Sequence, residues 1–268
     1  MSEDHEVEED HEVEDDRKLL TQGARYGARI RGTSAQKLRE RVMEKELAAL
    51  THTFERLRTD DAILRAATAI VSSRRRYVAG VGKSAAFASL LAGDLAAGLA
   101  NVFQIDGQGL HAIDVLTDVR PQDVLVCFSV RRYRVETVEL GRAFLGSGGS
   151  LVVVTDSPDA PLALDGAIVI TVDTGSGSYA DSPTSVAAVC QLLSSLTIAS
   201  AKGARRRLLV RDALGDTLHQ YLPGGADAGA HADVGAYADP GRVPSNDARM
   251  VADPGRVPLT DEGASRAH

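Results

Sequence analysis

Uninterrupted apolar runs alternate with amphipathic ones through the middle of this chain. Residues 77–79, 124–128 and 151–154 are apolar without a break and are bounded by turn formers, the pattern of strands covered on both faces. Strands are predicted at 76–80, 101–105, 123–128, 150–155 and 167–172, and helices at 84–100, 109–117, 134–146 and 182–201. The last helix has clear start signals: Ser182 as N-cap, Pro183 in the first turn, then Val186, Val189, Cys190, Leu193 and Leu196 on one face. Strand and helix in alternation predict an α/β domain, a doubly wound parallel sheet of five strands. Ligands in such sheets bind at the carboxyl ends of the strands.

Two further helices are predicted ahead of the sheet, over 35–57 and 60–73. Met43, Leu47, Leu50, Phe54 and Leu57 recur at spacings of four, three, four and three, a stripe that serves a core or a dimer seam. Between Arg17 and Arg41 stand eight basic residues and one acid, Glu40. A nucleic-acid contact is one reading of that run, although no reading helix accompanies it.

The ends have a different texture. Residues 1–16 repeat EDHEVE and hold ten acids with no Lys or Arg, so a self-repelling, disordered arm is expected. From Pro223 onward the chain is rich in Gly, Ala, Asp and Pro and repeats ADPGRVP at 238–244 and 252–258, which predicts a disordered tail without a core. The arm dominates the charge: the full chain is at −7, and setting those ten acids aside leaves 27 acidic against 30 basic residues, a net of +3. Acidity of the whole chain therefore says little about its partners.

Two loops carry candidate chemistry. The third strand ends at Ser129, and Arg131, Arg132, Tyr133 and Arg134 follow at once. A hydroxyl with three guanidiniums at a strand end can hold an anion, since guanidiniums meet phosphate with paired donors; a solvated basic turn is the plainer alternative. The second loop is Gly80-Val81-Gly82-Lys83-Ser84, between a strand and a long apolar helix. An ATP-binding P-loop is excluded, because it requires a glycine where Tyr77 stands. Gly80, Gly82 and Ala85 fit a dinucleotide fingerprint with Asp106 closing the next strand, a weak match. A sugar-phosphate loop using the Ser84 hydroxyl and backbone amides fits as well, and so does a tight turn without ligand.

Cys127 and Cys190 fall on apolar faces and read as reduced core residues. Their spacing offers no zinc site, and no metal or cofactor is expected. The acidic start is no export signal and the apolar helix at 85–100 is too short to span a bilayer. A cytoplasmic protein is expected.

The order GVGKS, PQDVLVCFSVRRYRVETVEL, LVVVTDSPDAPLALDGAIVI and SYADSPTSVAAV resembles the sugar isomerase (SIS) domain, and in particular that of RpiR/MurR-type transcriptional regulators. The resemblance covers about residues 35–202. Many SIS domains carry S-x-S-G-x-T-x-E at the third strand; Ser129 and Glu136 are kept, while Arg131, Arg132 and Arg134 replace the second serine, the glycine and the threonine. A subset of RpiR-type regulators has a similar S-[FV]-x-R-Y stretch. The family implies a three-layer, flavodoxin-like sheet that senses a sugar phosphate and dimerises through its helices. Carried over residue by residue, Gly82, Ser84 and Ser129 line the phosphate site, Arg131, Arg132 and Arg134 lie near it, and Ser182 joins it from the last helix. Such regulators usually carry a helix-turn-helix domain in front. Here 17–58 has room for a linker helix and a remnant of one, so DNA contact depends on what that shortened region retains.

The expected organisation is an acidic arm at 1–16, a helical linker at 17–58, a SIS domain at 59–202, a C-terminal helix at 203–222 and a tail at 223–268. The expected function is a phosphosugar-binding regulatory protein of RpiR type, not an enzyme, acting as a homodimer or larger homo-oligomer. The alternative is an aldose–ketose isomerase on the same fold, with Glu136, Glu139 and His111 as candidate bases. A remote alternative is an NAD-binding oxidoreductase.

Overall fold

Five short apolar strands pair side by side and all run the same way. They are β1 (Arg75–Ala79), β2 (Val102–Ile105), β3 (Asp123–Phe128), β4 (Ser150–Thr155) and β5 (Ile168–Thr171), in the order β2-β1-β3-β4-β5. The computed structural model describes residues 21–220; the expected arm at 1–16 and tail at 223–268 lie outside them. Eight helices occur among the described residues: α1 (Gln22–Arg29), α2 (Ala35–Thr59), α3 (Ala62–Ser72), α4 (Ser84–Gly98), α5 (Ala112–Thr117), α6 (Val135–Gly146), α7 (Thr184–Ser200) and α8 (Ala204–Thr217).

The strand period of two sorts the core into two layers. Val78, Val124, Val126, Phe128, Val152, Val154 and Ile170 point to one face and pack with residues of α3, α4 and α7. Tyr77, Ala79, Leu125, Cys127, Leu151 and Val153 point to the other and meet α5 and α6. Register keeps the rows aligned, with Val78 opposite Val126 and Val126 opposite Val152. The fold is therefore the three-layer, doubly wound α/β sheet expected from the apolar runs, with the flavodoxin-like strand order. Both cysteines are free and buried, and burial pushes each thiol up to about 12.

Charged side chains close the amino ends of the strands. Arg76 is buried and donates from Nε to the Ile70 carbonyl (2.6 Å), from Nη2 to Val71 (2.8 Å) and from Nη1 to Ala100 (3.0 Å). It thus satisfies two carbonyls in the last turn of α3 that helix geometry leaves unpaired, together with the Ala100 carbonyl in the loop after α4. Arg75 grips the buried carboxylate of Asp123 with Nε and Nη2.

Helix α2 narrows one expectation, that its apolar stripe serves a core or a dimer seam. Leu57 packs on the core and Leu50 and Phe54 are half-buried, but Met43 is 65% and Leu47 67% exposed. Its fully buried residues are Ala49 and Thr53, so the helix approaches the sheet by small residues, and Met43 and Leu47 are not core. Among the described residues no single helix is long and apolar enough to cross a membrane.

Candidate functional site

Three loops at the carboxyl ends of β1, β3 and β5 converge on a cleft of about 650 Å³. The β1–α4 loop is shaped by its glycines. A Cβ at Gly80 would fall 2.5 Å from the Ser84 carbonyl oxygen, and Gly82 has φ +65°, where glycine alone is comfortable. The β3–α6 loop turns through Arg132, a non-glycine residue with φ 65°, a conformation an L-residue holds at a cost of about 1–2 kcal/mol. Thr174, Asp181 and Ser182 contribute the third wall.

The amino ends of α4, α6 and α7 bring Ser84, Glu136 and Val186 to this cleft. None of the three takes a side-chain cap from its own N-cap residue. Their dipoles therefore favour a negative charge in the cleft, while the Ala85 and Ala86 amides already donate to the Gly82 and Lys83 carbonyls and the Thr184 amide to Ser182.

Side chains reinforce that field. Lys83, Arg131, Arg132 and Arg134 line the cleft against Asp181 and Glu136. Arg131 stands between two carboxylates, 3.7 Å from Asp156 and 3.9 Å from Asp181. Among the described residues Arg132 and Arg134 form no ion pair. Arg134 leans across to the other loop: an ideal Cβ on Gly82 would sit 3.5 Å from its Nη2. Burial, followed by the charge of Asp156, pushes the Tyr133 phenol up to about 12, so it stays neutral and can donate.

Ser129 lies in the middle of this ring. It is 3% exposed and lines the cleft, and its hydroxyl has no hydrogen-bond partner. A buried hydroxyl without a partner costs about 1–3 kcal/mol, a cost that a bound acceptor would remove.

The structure thus brings Ser84, Ser129, Arg131, Arg132, Arg134 and Ser182 together around one cleft, with Gly82 beside it under Arg134. Ser182 is there on different terms. Its hydroxyl donates to Glu46 of α2 and accepts the Thr184 amide at 3.1 Å; the Thr184 hydroxyl also donates to Glu46. Ser182 therefore fixes the start of α7, which opens two residues later than its sequence signals suggest. Of the candidate bases, Glu136 is on the cleft; Glu139 pairs with Arg142 at 3.1 Å, and exposed His111 precedes α5. Asp106 Oδ1 accepts the amides of Gln108 and Gly109 at 2.9 and 2.8 Å, and these bonds hold its carboxyl below the usual range. The carboxylate that a dinucleotide ribose requires is a turn cap here.

Residues 69–200 match the SIS domain family. This segment is a SIS domain. The SIS domain is similar in structure to the sugar isomerase domain of an RpiR transcription factor from Sphaerobacter thermophilus. That likeness has 26% identity and a TM-score of 0.59, and covers 69% of this chain and 99% of the other. It shares its fold with the Vibrio vulnificus NanR protein, solved in complex with ManNAc-6P, at 14% identity and a TM-score of 0.57 over 69% of this chain and 71% of that one. It also shares its fold with a phosphoheptose isomerase from Francisella tularensis, at 16% identity and a TM-score of 0.52 over 62% and 98%. A search of the curated proteins finds no match.

Helix α1 is a wall of the cleft that no sequence signal announced. Gln22 lines the cleft, and the Arg25 guanidinium, 2% exposed, meets Asp181 at 2.5 Å. Arg29 donates to the carbonyls of Ser176 (2.7 Å) and Ser178 (3.1 Å), and Arg41 to the carbonyl of Arg29. Three of the eight basic residues read as a possible nucleic-acid contact are thus engaged within the chain. Lys83, within the GVGKS loop, lines the cleft and donates to the Asp181 carbonyl.

Proposed function

We propose that this chain is a phosphosugar-binding regulatory protein of RpiR type, in which the SIS domain takes a sugar phosphate as effector and no reaction is catalysed. The observation that carries it is the unpartnered Ser129 hydroxyl, buried in a cleft ringed by Lys83, Arg131, Arg132 and Arg134. Phosphate oxygens accept from the Ser129 and Ser84 hydroxyls and from the Ser84 amide at the start of α4, and Arg134, over Gly82, covers that end. The sugar extends toward Tyr133 and Thr174. Likeness to the RpiR domain supports this role. Effector binding changes output by favouring one arrangement of a homodimer over another. Of the described basic residues in the Arg17–Arg41 run, Arg31, Lys37 and Arg39 stay exposed and are available for a DNA contact.

The second reading, an aldose–ketose isomerase, has Glu136 on the cleft in its favour. Titration with a panel of sugar phosphates, followed by thermal midpoint and product assay, separates the two. Stabilisation by one sugar phosphate without turnover fits the sensor. Turnover lost in Glu136→Gln identifies the isomerase, and no stabilisation by any of them ends both readings.

A further inference from the structure

The cleft has cationic groups without internal partners, and the chain has an anionic segment rooted beside it. Arg132 and Arg134 are exposed and form no ion pair among the described residues. Lys83 uses its ammonium on the Asp181 carbonyl, not on a carboxylate. Glu136 is the one carboxylate on the cleft that is not already shared with a cation among the described residues. Helix α1 is tied down by Arg25 to Asp181 and by Arg29 to the 176–178 backbone, and its first residue, Gln22, lines the cleft. Whatever precedes Thr21 therefore starts at the cleft rim. Residues 1–16 carry ten carboxylates and no Lys or Arg. Five residues, 17–21, join them to α1 and reach at most about 17 Å, so the acidic stretch stays within reach of the arginine loop.

We infer that the acidic segment 1–16 docks on Lys83, Arg132 and Arg134 as an intramolecular competitor of the anionic effector. The inference rests on the reading of this cleft as an anion site and adds its regulation. Tethering gives the segment an effective concentration in the millimolar range. Exposed ion pairs are weak one by one, so such a docked segment yields to a phosphate that also reaches Ser129. Screening over a Debye length of about 10 Å at 0.1 M salt makes this docking ionic-strength dependent.

The test uses the full chain. Cys127 and Cys190 are buried, so a nitroxide can be placed selectively on a Ser2→Cys variant. At about 0.01 M ionic strength the label should broaden the amide signals of residues 129–136, and at about 1 M it should not. A second chain has every acid of residues 1–16 exchanged for its amide. Its affinity for inorganic phosphate should rise on the order of tenfold at low salt and stay within about twofold of the native chain at high salt. Broadening that phosphate reverses, together with that gain, supports the docked competitor. A gain without broadening means general repulsion and overturns docking. Broadening at the cleft while phosphate binds equally to both chains overturns competition and leaves the effector reading intact. Phosphate that binds neither chain and leaves the broadening unchanged removes the effector reading and the competition with it.

Discussion

Arg25 on α1 places its guanidinium Nη1 2.5 Å from the Asp181 carboxylate, joining the chain ahead of the SIS match to a wall of the cleft. Asp181 also stands 3.9 Å from Arg131, and its carbonyl takes the Lys83 ammonium. One residue thus touches three of the segments around the cleft. Breaking a buried charge pair by removing one partner leaves the other uncompensated, and the local cost is about 3–5 kcal/mol where burial is complete. Asp181 keeps some exposure, so the low end applies. Asp181→Asn should release α1 without unfolding the sheet: amides of 22–29 should exchange faster while those of β3 and β4 keep their protection. A double-mutant cycle with Arg25→Gln should show coupling of about 1–3 kcal/mol. Additive effects would assign the docking of α1 to Arg29 instead.

Ser129→Ala separates a binding role from a structural one. The hydroxyl has no partner within the protein, so its removal should leave stability within about 0.5 kcal/mol of the native chain, or raise it. A hydrogen bond to a charged phosphate is worth about 1.5–3 kcal/mol. Affinity for the sugar phosphate should therefore fall ten- to hundredfold, roughly, by isothermal titration. Unchanged affinity in both Ser129→Ala and Ser84→Ala would remove the two-loop site.

The sheet was legible because its signals are local. Short β-branched runs such as Val152-Val153-Val154, bounded by turn formers, favour covered strands, and β3 and β4 begin and end where that pattern predicts. Ser129 and the arginines were legible because a strand end in this topology is a ligand position. The engagement of Arg25 and Ser182 was not, since each depends on a partner 156 or 136 residues away in sequence. Which of the two roles, core or dimer seam, falls to Met43 and Leu47 was not legible either. Their spacing is helical and correct, but α2 turns Ala49 and Thr53 inward, and periodicity alone does not say which apolar face is covered.

The glycines of the first loop should respond unequally. In Gly80→Ala the new Cβ meets backbone, the Ser84 carbonyl oxygen at 2.5 Å, so the start of α4 must move. The loss should be about 1–3 kcal/mol, accompanied by loss of sugar-phosphate binding. In Gly82→Ala the Cβ meets only the end of Arg134 at an ordinary 3.5 Å. The φ of +65° alone then sets a cost of about 1–2 kcal/mol. A chemical denaturation series comparing the two variants checks the order, and equal losses would mean that the loop relaxes around the methyl group added at position 80.

Acid stability should report on the opposite end of the sheet. Burial works to raise the carboxyl of Asp123. Hydrogen bonds from Arg75 and the Arg120 amide, with the charges of Arg75 and Arg74, outweigh it, and the group stays ionised below its ordinary range. A carboxyl lowered in the folded state stabilises the fold fully above its unfolded pKa of about 4, and loses that contribution as pH falls through the folded value. Asp123→Asn should therefore destabilise the protein at neutral pH by roughly 2–3 kcal/mol, at the low end for a buried pair because Arg74 and Arg75 keep part of their solvation. Below about pH 4 the gap between the variant and the native chain should narrow steadily. Urea titrations from neutral pH down to about pH 2.5 measure that gap, and a gap that stays constant on acidification would show that the carboxylate adds no ionic stabilisation to the strand ends.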